Sequence, residues 1–233
     1  MTNEGERNAG ARITNFSLRL RWKLEEFGLP DYFRADLSFE ARPDFPRRFL
    51  EFLVSLYTIM RASVPLLKAA EEECILRRAD GDSDSNYSML AKYFGEHSVE
   101  EKDHDRWLLE DLSTLGLSTD EVLCRAPRRA VIELVGSQYY QINYVHPAIL
   151  LGYIMILEGY PLNDRDLEQM REKTGFDSRA FRTLSEHSSL DSLHFKELDT
   201  TLDALSLSSN LEEEITKNAF YTLKKCTEIL DSI

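Results

Sequence analysis

Four of the five histidines in this 233-residue chain fall into two copies of one pattern, His97-x3-Glu101-x2-His104 and His187-x3-Asp191-x2-His194. On a helix of 3.6 residues per turn, offsets of four and seven rotate by about 40° and about −20°, so each pattern gathers two imidazoles and a carboxylate on one face. That donor set leaves open positions on an iron or manganese ion, as in O2-activating non-haem iron sites; zinc also fits the donor types. Two such helices facing each other would hold two ions, bridged by a carboxylate from a third helix. Glu158 is the candidate bridge. It ends the apolar run 149–157, where an unpaired carboxylate is costly, and Gly152 and Gly159 permit close helix approach. Phe94, Trp107, Leu108, Leu184, Leu190 and Leu198 share the histidine faces and predict burial. Glu100 is expected in solvent, and Glu71, Glu72 and Glu73 are read as a charged helix end. Tyr139, Tyr140, Tyr144, Tyr153 and Tyr160 are packing residues or candidate lining for a substrate pocket.

Helices must position these residues. Apolar residues recur at spacings of three and four, strand-like alternation is nearly absent, and only 10 Gly and 7 Pro punctuate the chain. The pattern predicts helices over 15–27, 46–78, 87–115, 119–124, 128–144, 147–159, 164–174, 178–205 and 211–232. Ser118 to Glu121 spells a capping box, Pro147 suits a first helical turn, and Gly28, Gly116 and Gly175 suit the residue past a helix end. Pro65 is expected to kink its helix. Asp80 to Ser85 lacks the glycine and distal glutamate of a calcium loop and reads as a solvated turn. His146, before Pro147, reads as a structural or capping histidine. These elements make one all-helical metal-binding domain over 14–233, after a loose polar arm over 1–13.

A formal charge of −13 excludes electrostatic nucleic-acid binding and anionic lipid surfaces as expected partners. The apolar run 148–157 is too short to span a bilayer, and the N-terminus has no apolar signal core, so a cytoplasmic address is expected. Three scattered cysteines, Cys74, Cys124 and Cys226, suggest neither disulfides nor a thiolate zinc site. Arg128, Arg129 and Lys92 are read as exposed charges.

Tyr93-Phe94-Gly95-Glu96-His97, Glu101, His104, Trp107 to Leu109, Asp111-Leu112, His146-Pro147, Gly152-Tyr153, Leu157-Glu158-Gly159, His187, Asp191 and His194 together resemble the haem-oxygenase-like di-iron oxidases and oxygenases. These are relatives of the TenA and PqqC fold, often labelled iron-containing redox enzymes. The resemblance implies an all-α, haem-oxygenase-like bundle of about seven to nine helices, with a ferritin-like four-helix bundle as the second expectation. It assigns Glu101 and His104 as early ligands, Glu158 as the bridge, and His187, Asp191 and His194 as the late triad. Some members place a glutamate where this chain has His97, so either His97 replaces that ligand or Glu101 alone serves.

The implied function is a non-haem oxidoreductase holding two Fe(II) per chain, with Mn as the alternative to Fe. It would use O2 to hydroxylate, N-oxygenate, desaturate or cleave a small carboxylic or amino acid, in specialised metabolism and as a homodimer. The alternatives are a metal-free TenA-like hydrolase, for which Cys124 is the candidate nucleophile, and a non-catalytic haem- or metal-binding protein.

Overall fold

The computed structural model describes residues 15–27, 44–82, 84–160 and 162–233; the side chains of Asp191 and Ser192 lie outside this set. The expected N-terminal arm and the Gly28 helix end also lie outside it. The helices are α1 (Phe16–Glu26), α2 (Phe45–Ala79), α3 (Tyr87–Glu100), α4 (His104–Thr114), α5 (Thr119–Cys124), α6 (Arg129–Tyr144), α7 (Leu150–Leu157), α8 (Asp164–Thr174), α9 (Arg182–Ala204) and α10 (Ser209–Asp231). Short 3-10 turns, Pro147–Ile149 and Ser178–Phe181, lead into α7 and α9. No strand occurs among the described residues.

The punctuation has its expected causes. The Ser118 hydroxyl accepts from the Glu121 N–H while the Glu121 carboxylate accepts from the Ser118 N–H, which closes the capping box before α5. Gly116 and Gly175 adopt φ of 86° and 67° past α4 and α8, a conformation in which a side chain would be strained. His146 caps the turn at Pro147: its Nδ1 accepts from the Ala148 N–H, which leaves Nε2 to donate to Asp84 at 3.1 Å.

One helix differs from expectation in a way that shapes the site. The segment 87–115 is two helices, broken at Glu101, Lys102 and Asp103, where Asp103 takes φ of 70°. Asp tolerates this left-handed conformation better than most residues, so neither Gly nor Pro is needed to turn the chain.

α2 packs against α3, α4 and α6 and carries Phe49, Leu53, Leu66, Leu67, Ala70 and Cys74 into the core. It continues through Pro65. By length and composition α2 would also cross a membrane, with an 18-residue window of mean hydropathy 1.4, longer than the run at 148–157; half of that window is buried inside the protein.

α7 is buried along its length and crosses α10 at Gly152. A Cβ there would lie 2.3 Å from the Ile215 carbonyl oxygen and 2.9 Å from the Ala219 nitrogen, both backbone atoms that cannot rotate away. Gly152→Ala is therefore expected to lower stability by about 1–3 kcal/mol, since the two helices must separate. Gly136 on α6 has nothing within 4 Å of its Cβ position, so Gly136→Ala is expected to raise stability by about 0.5–1 kcal/mol. Thermal melts of the two variants check the pair; equal shifts would contradict the close crossing. Beside this crossing, Gln138 and Asn218 exchange amide hydrogen bonds at 3.1 and 2.8 Å, and Asn218 also donates to the Ile149 carbonyl, tying α6, α10 and the turn before α7 together.

Candidate metal centre

Three elements bring the chemistry-bearing residues together: the broken α3–α4 corner, the end of α7, and α9. The start of α9 is pinned to α4, where the buried Asp111 carboxylate accepts the Thr183 N–H at 2.8 Å. Glu158 follows the last turn of α7 as its C-cap. The next residue, Gly159, lies against α9, where a Cβ would meet the Phe195 ring at 3.2 Å, so Glu158 is pressed beside His194.

The residues form two groups of three, and within each group one ligand atom per residue lies within 4.8 Å of the others: His97, Glu158 and His194 in the first, Glu101, His104 and His187 in the second. In the first, His97 Nε2 is 3.0 Å from Glu158 Oε1 and His194 Nδ1 is 3.5 Å from Glu158 Oε2. In the second, His104 Nδ1 is 3.4 Å from Glu101 Oε1. The groups share a construction. An imidazole from the α3–α4 corner meets one from α9 edge-on, His97 with His194 and His104 with His187, each pair with ring centroids 4.8 Å apart. An aromatic ring stacks behind each corner histidine, Tyr93 on His97 and Trp107 on His104.

This partition differs from the expectation that His97, Glu101 and His104 share one helix face. The turn at Asp103 ends that face, so His97 goes to one group and Glu101 with His104 to the other. Glu101 reaches both groups, its Oε1 lying 3.4 Å from His104 Nδ1 and 3.9 Å from His194 Nδ1; Glu158, expected as the bridge, contacts His97 and His194 of the first group. Asp191 lies on α9 between His187 and His194, with its side chain outside the described set.

Buried polar atoms here lack hydrogen-bond partners: His97 Nδ1, Glu101 Oε1, His104 Nδ1, Glu158 Oε2 and His194 Nδ1. Each such atom costs on the order of 1–3 kcal/mol. Glu101 Oε1, His104 Nδ1, Glu158 Oε2 and His194 Nδ1 each lie within 3.9 Å of another of the four and call for a common partner, while His97 Nδ1 lies on the outer side, 3.5 Å from Glu100. Two imidazoles and a carboxylate in each group, with lone pairs converging, fit a divalent iron-type cation in donor number, type and spacing.

The electrostatics are those of paired, largely buried charges. Burial disfavours the charged form of His97, but the facing Glu158 carboxylate, with Glu101 and Glu100 nearby, outweighs it and lifts the imidazole to about 9. Burial likewise opposes the Glu158 charge, and His97 and His194 overcome it, holding that carboxyl down at about 2.

Glu100 was expected in solvent and is not free of the site: its carboxylate is 3.5 Å from His97 Nδ1 and 3.7 Å from His194 Nε2. Tyr93, named only among the residues that carry the resemblance and given no role, lies four residues before His97 and so on the same helix face. The hydroxyls of Tyr93 and Tyr153 are buried without partners. Tyr140 and Tyr144 pack against each other at a tilt on the outer surface, which removes them as pocket lining. Arg128 pairs with Glu51, and Cys124 is exposed at the end of α5.

Comparison with known proteins agrees with this geometry. The sequence profile of a family described as iron-containing redox enzymes matches residues 51–224. Among solved structures, a domain of unknown function with a heme oxygenase-like fold from Shewanella denitrificans OS217 superposes with a TM-score of 0.75 at 17% identity, over 90% of each chain. A TenA homolog from Pseudomonas syringae pv. tomato DC3000 superposes with a TM-score of 0.59 at 10% identity, over 80% of this chain and 78% of that one. No curated protein sequence matches the chain. The fold is accordingly heme oxygenase-like, in place of the ferritin-like second expectation. With the profile covering most of its length, the chain belongs to the iron-containing redox enzymes.

Proposed function

We propose that this oxidoreductase is a non-haem di-iron oxidase or oxygenase that uses O2 to oxidise a small carboxylic or amino acid. The observation that carries the reading is the pair of groups, each with two imidazoles and a carboxylate, in which the buried Glu101 Oε1, His104 Nδ1, Glu158 Oε2 and His194 Nδ1 lack hydrogen-bond partners. His97, Glu158 and His194 would hold one ion, and Glu101, His104 and His187 the other, with Asp191 as the further α9 ligand and Glu101 placed between the two. When bound, two Fe(II) ions supply electrons for the reduction of O2.

The protein's own part is positioning and proton control. The imidazoles must be neutral to offer lone pairs, so loading releases the His97 proton. Burial, and then the Glu158 charge, push the Tyr93 phenol well above its ordinary range; burial, Cys226 and Glu158 do the same for Tyr153. Both hydroxyls therefore stay protonated at neutral pH and are buried donors without a partner. The substrate class and a role in specialised metabolism rest on the family resemblance, the two-iron stoichiometry on the two groups, and a cytoplasmic address and a homodimer complete the proposal.

The test is O2 uptake by anaerobically Fe(II)-loaded protein offered a panel of fatty and amino acids. Uptake above a free-Fe(II) control with at least one acid is the expected result. No uptake above that control with any acid would count against an oxygenase.

A further inference from the structure

The first group has a second carboxylate on its outer side. His97 and His194 turn Nε2 and Nδ1, respectively, toward Glu158, which leaves one outer nitrogen on each ring. Both outer nitrogens face Glu100: its Oε2 lies 3.5 Å from His97 Nδ1 and 3.7 Å from His194 Nε2. His97 Nδ1 is buried and has no hydrogen-bond partner. Glu100 itself is 42% exposed, so its charge keeps its hydration while the rings do not.

We propose that Glu100 is a positioning residue whose single carboxylate takes the outer N–H of both His97 and His194. An imidazole binds a cation through a nitrogen that carries no proton, so the partner of the other nitrogen decides which one is offered. With Glu100 as the shared acceptor, the two rings are fixed in opposite tautomers, His97 offering Nε2 and His194 offering Nδ1. The rings cross at 83°, and one acceptor beside both edges holds that angle. Glu158 and Glu100 thus bracket the two rings, one on the metal side and one behind. This role rests on the proposed two-ion site and concerns its first group alone.

The test uses Zn(II) as a diamagnetic probe and reads the ring nitrogens by 1H–15N correlation spectroscopy, with only five histidines to resolve. In the Zn(II)-loaded wild type, His97 is expected to carry its proton on Nδ1 and His194 on Nε2, both slow to exchange. Glu100→Ala should make both protons exchange rapidly and weaken Zn(II) at the first group by about 10- to 100-fold, with the second group unchanged as the internal fold control. Glu100→Gln, whose amide oxygen still accepts, should recover part of the loss, and it carries the test if the alanine variant does not fold. The reverse tautomers, or unchanged exchange and affinity in the variants, would overturn the positioning role. Wild-type His97 and His194 signals that do not respond to Zn(II) would instead overturn the two-ion reading, and the positioning role with it.

Discussion

His97→Ala is expected to remove one of two bound irons and to leave the other, and His104→Ala to remove the opposite one. The reason is the partition at Asp103, which sends the two histidines to separate groups. Each group has three described donors within 4.8 Å of one another, so losing one removes a third of them. The expected loss of affinity exceeds the roughly 10- to 100-fold that follows removal of an orienting partner. The double variant separates this account from the helix-face alternative. If His97, Glu101 and His104 served one ion, the double variant would still bind the other; here it is expected to bind none tightly. Iron content after anaerobic loading reads the difference, and one full-affinity iron in the double variant would contradict the partition.

Metal uptake is expected to strengthen steeply with pH. In the metal-free protein, the His97 imidazole is held protonated up to about 9 by Glu158, Glu101 and Glu100 against the effect of burial, with His194 and Tyr93 the other titratable groups against it. An ion must displace that proton, so affinity at the first group should rise about tenfold per pH unit between about 7 and 9 and level off above. The sign for folding is the reverse. A raised histidine pKa stabilises the metal-free fold fully below the unfolded value of about 6.5, and the benefit disappears as pH rises through about 9. The depressed Glu158 pKa adds stability above about 4.5 that is lost as pH falls toward about 2. Metal-free protein should therefore lose stability from pH 6.5 to 9 while the metal-loaded form gains relative to it. Melting temperatures with and without Fe(II) or Zn(II) across this range check both signs, and a pH-independent difference between them would contradict the protonated His97.

The donor inventory was legible because spacing is enough to show that His187, Asp191 and His194 share a face, and because a carboxylate closing an apolar run, as Glu158 does, demands a partner. Gly152 and Pro147 likewise announced a close crossing and a helix start. The partition was not legible. Val99 to His104 reads as continuous helix, with no glycine or proline, and only the folded chain shows that Asp103 takes a left-handed turn. That single torsion moves His104 off the face of His97 and puts Glu101 in the second group, with its Oε1 also 3.9 Å from His194 Nδ1. Glu100 is exposed as expected, but its approach to the histidines went unseen for a different reason. It lies three residues after His97, about 60° around the helix, within reach of the imidazole, yet its neighbour Glu101 drew the attention. The tyrosines on α6 show the limit of clustering in sequence: Tyr140 and Tyr144 sit near the Glu158 helix in the chain and on the outside of the fold.

The central claim is that two ions occupy two neighbouring groups on one chain. The most direct measurement is the iron content of wild-type protein after anaerobic Fe(II) loading and desalting, with Glu158→Ala and His194→Ala alongside. About two irons per chain in the wild type, falling to about one in each variant, is the expected result. No retained iron in the wild type, or two in both variants, would contradict it.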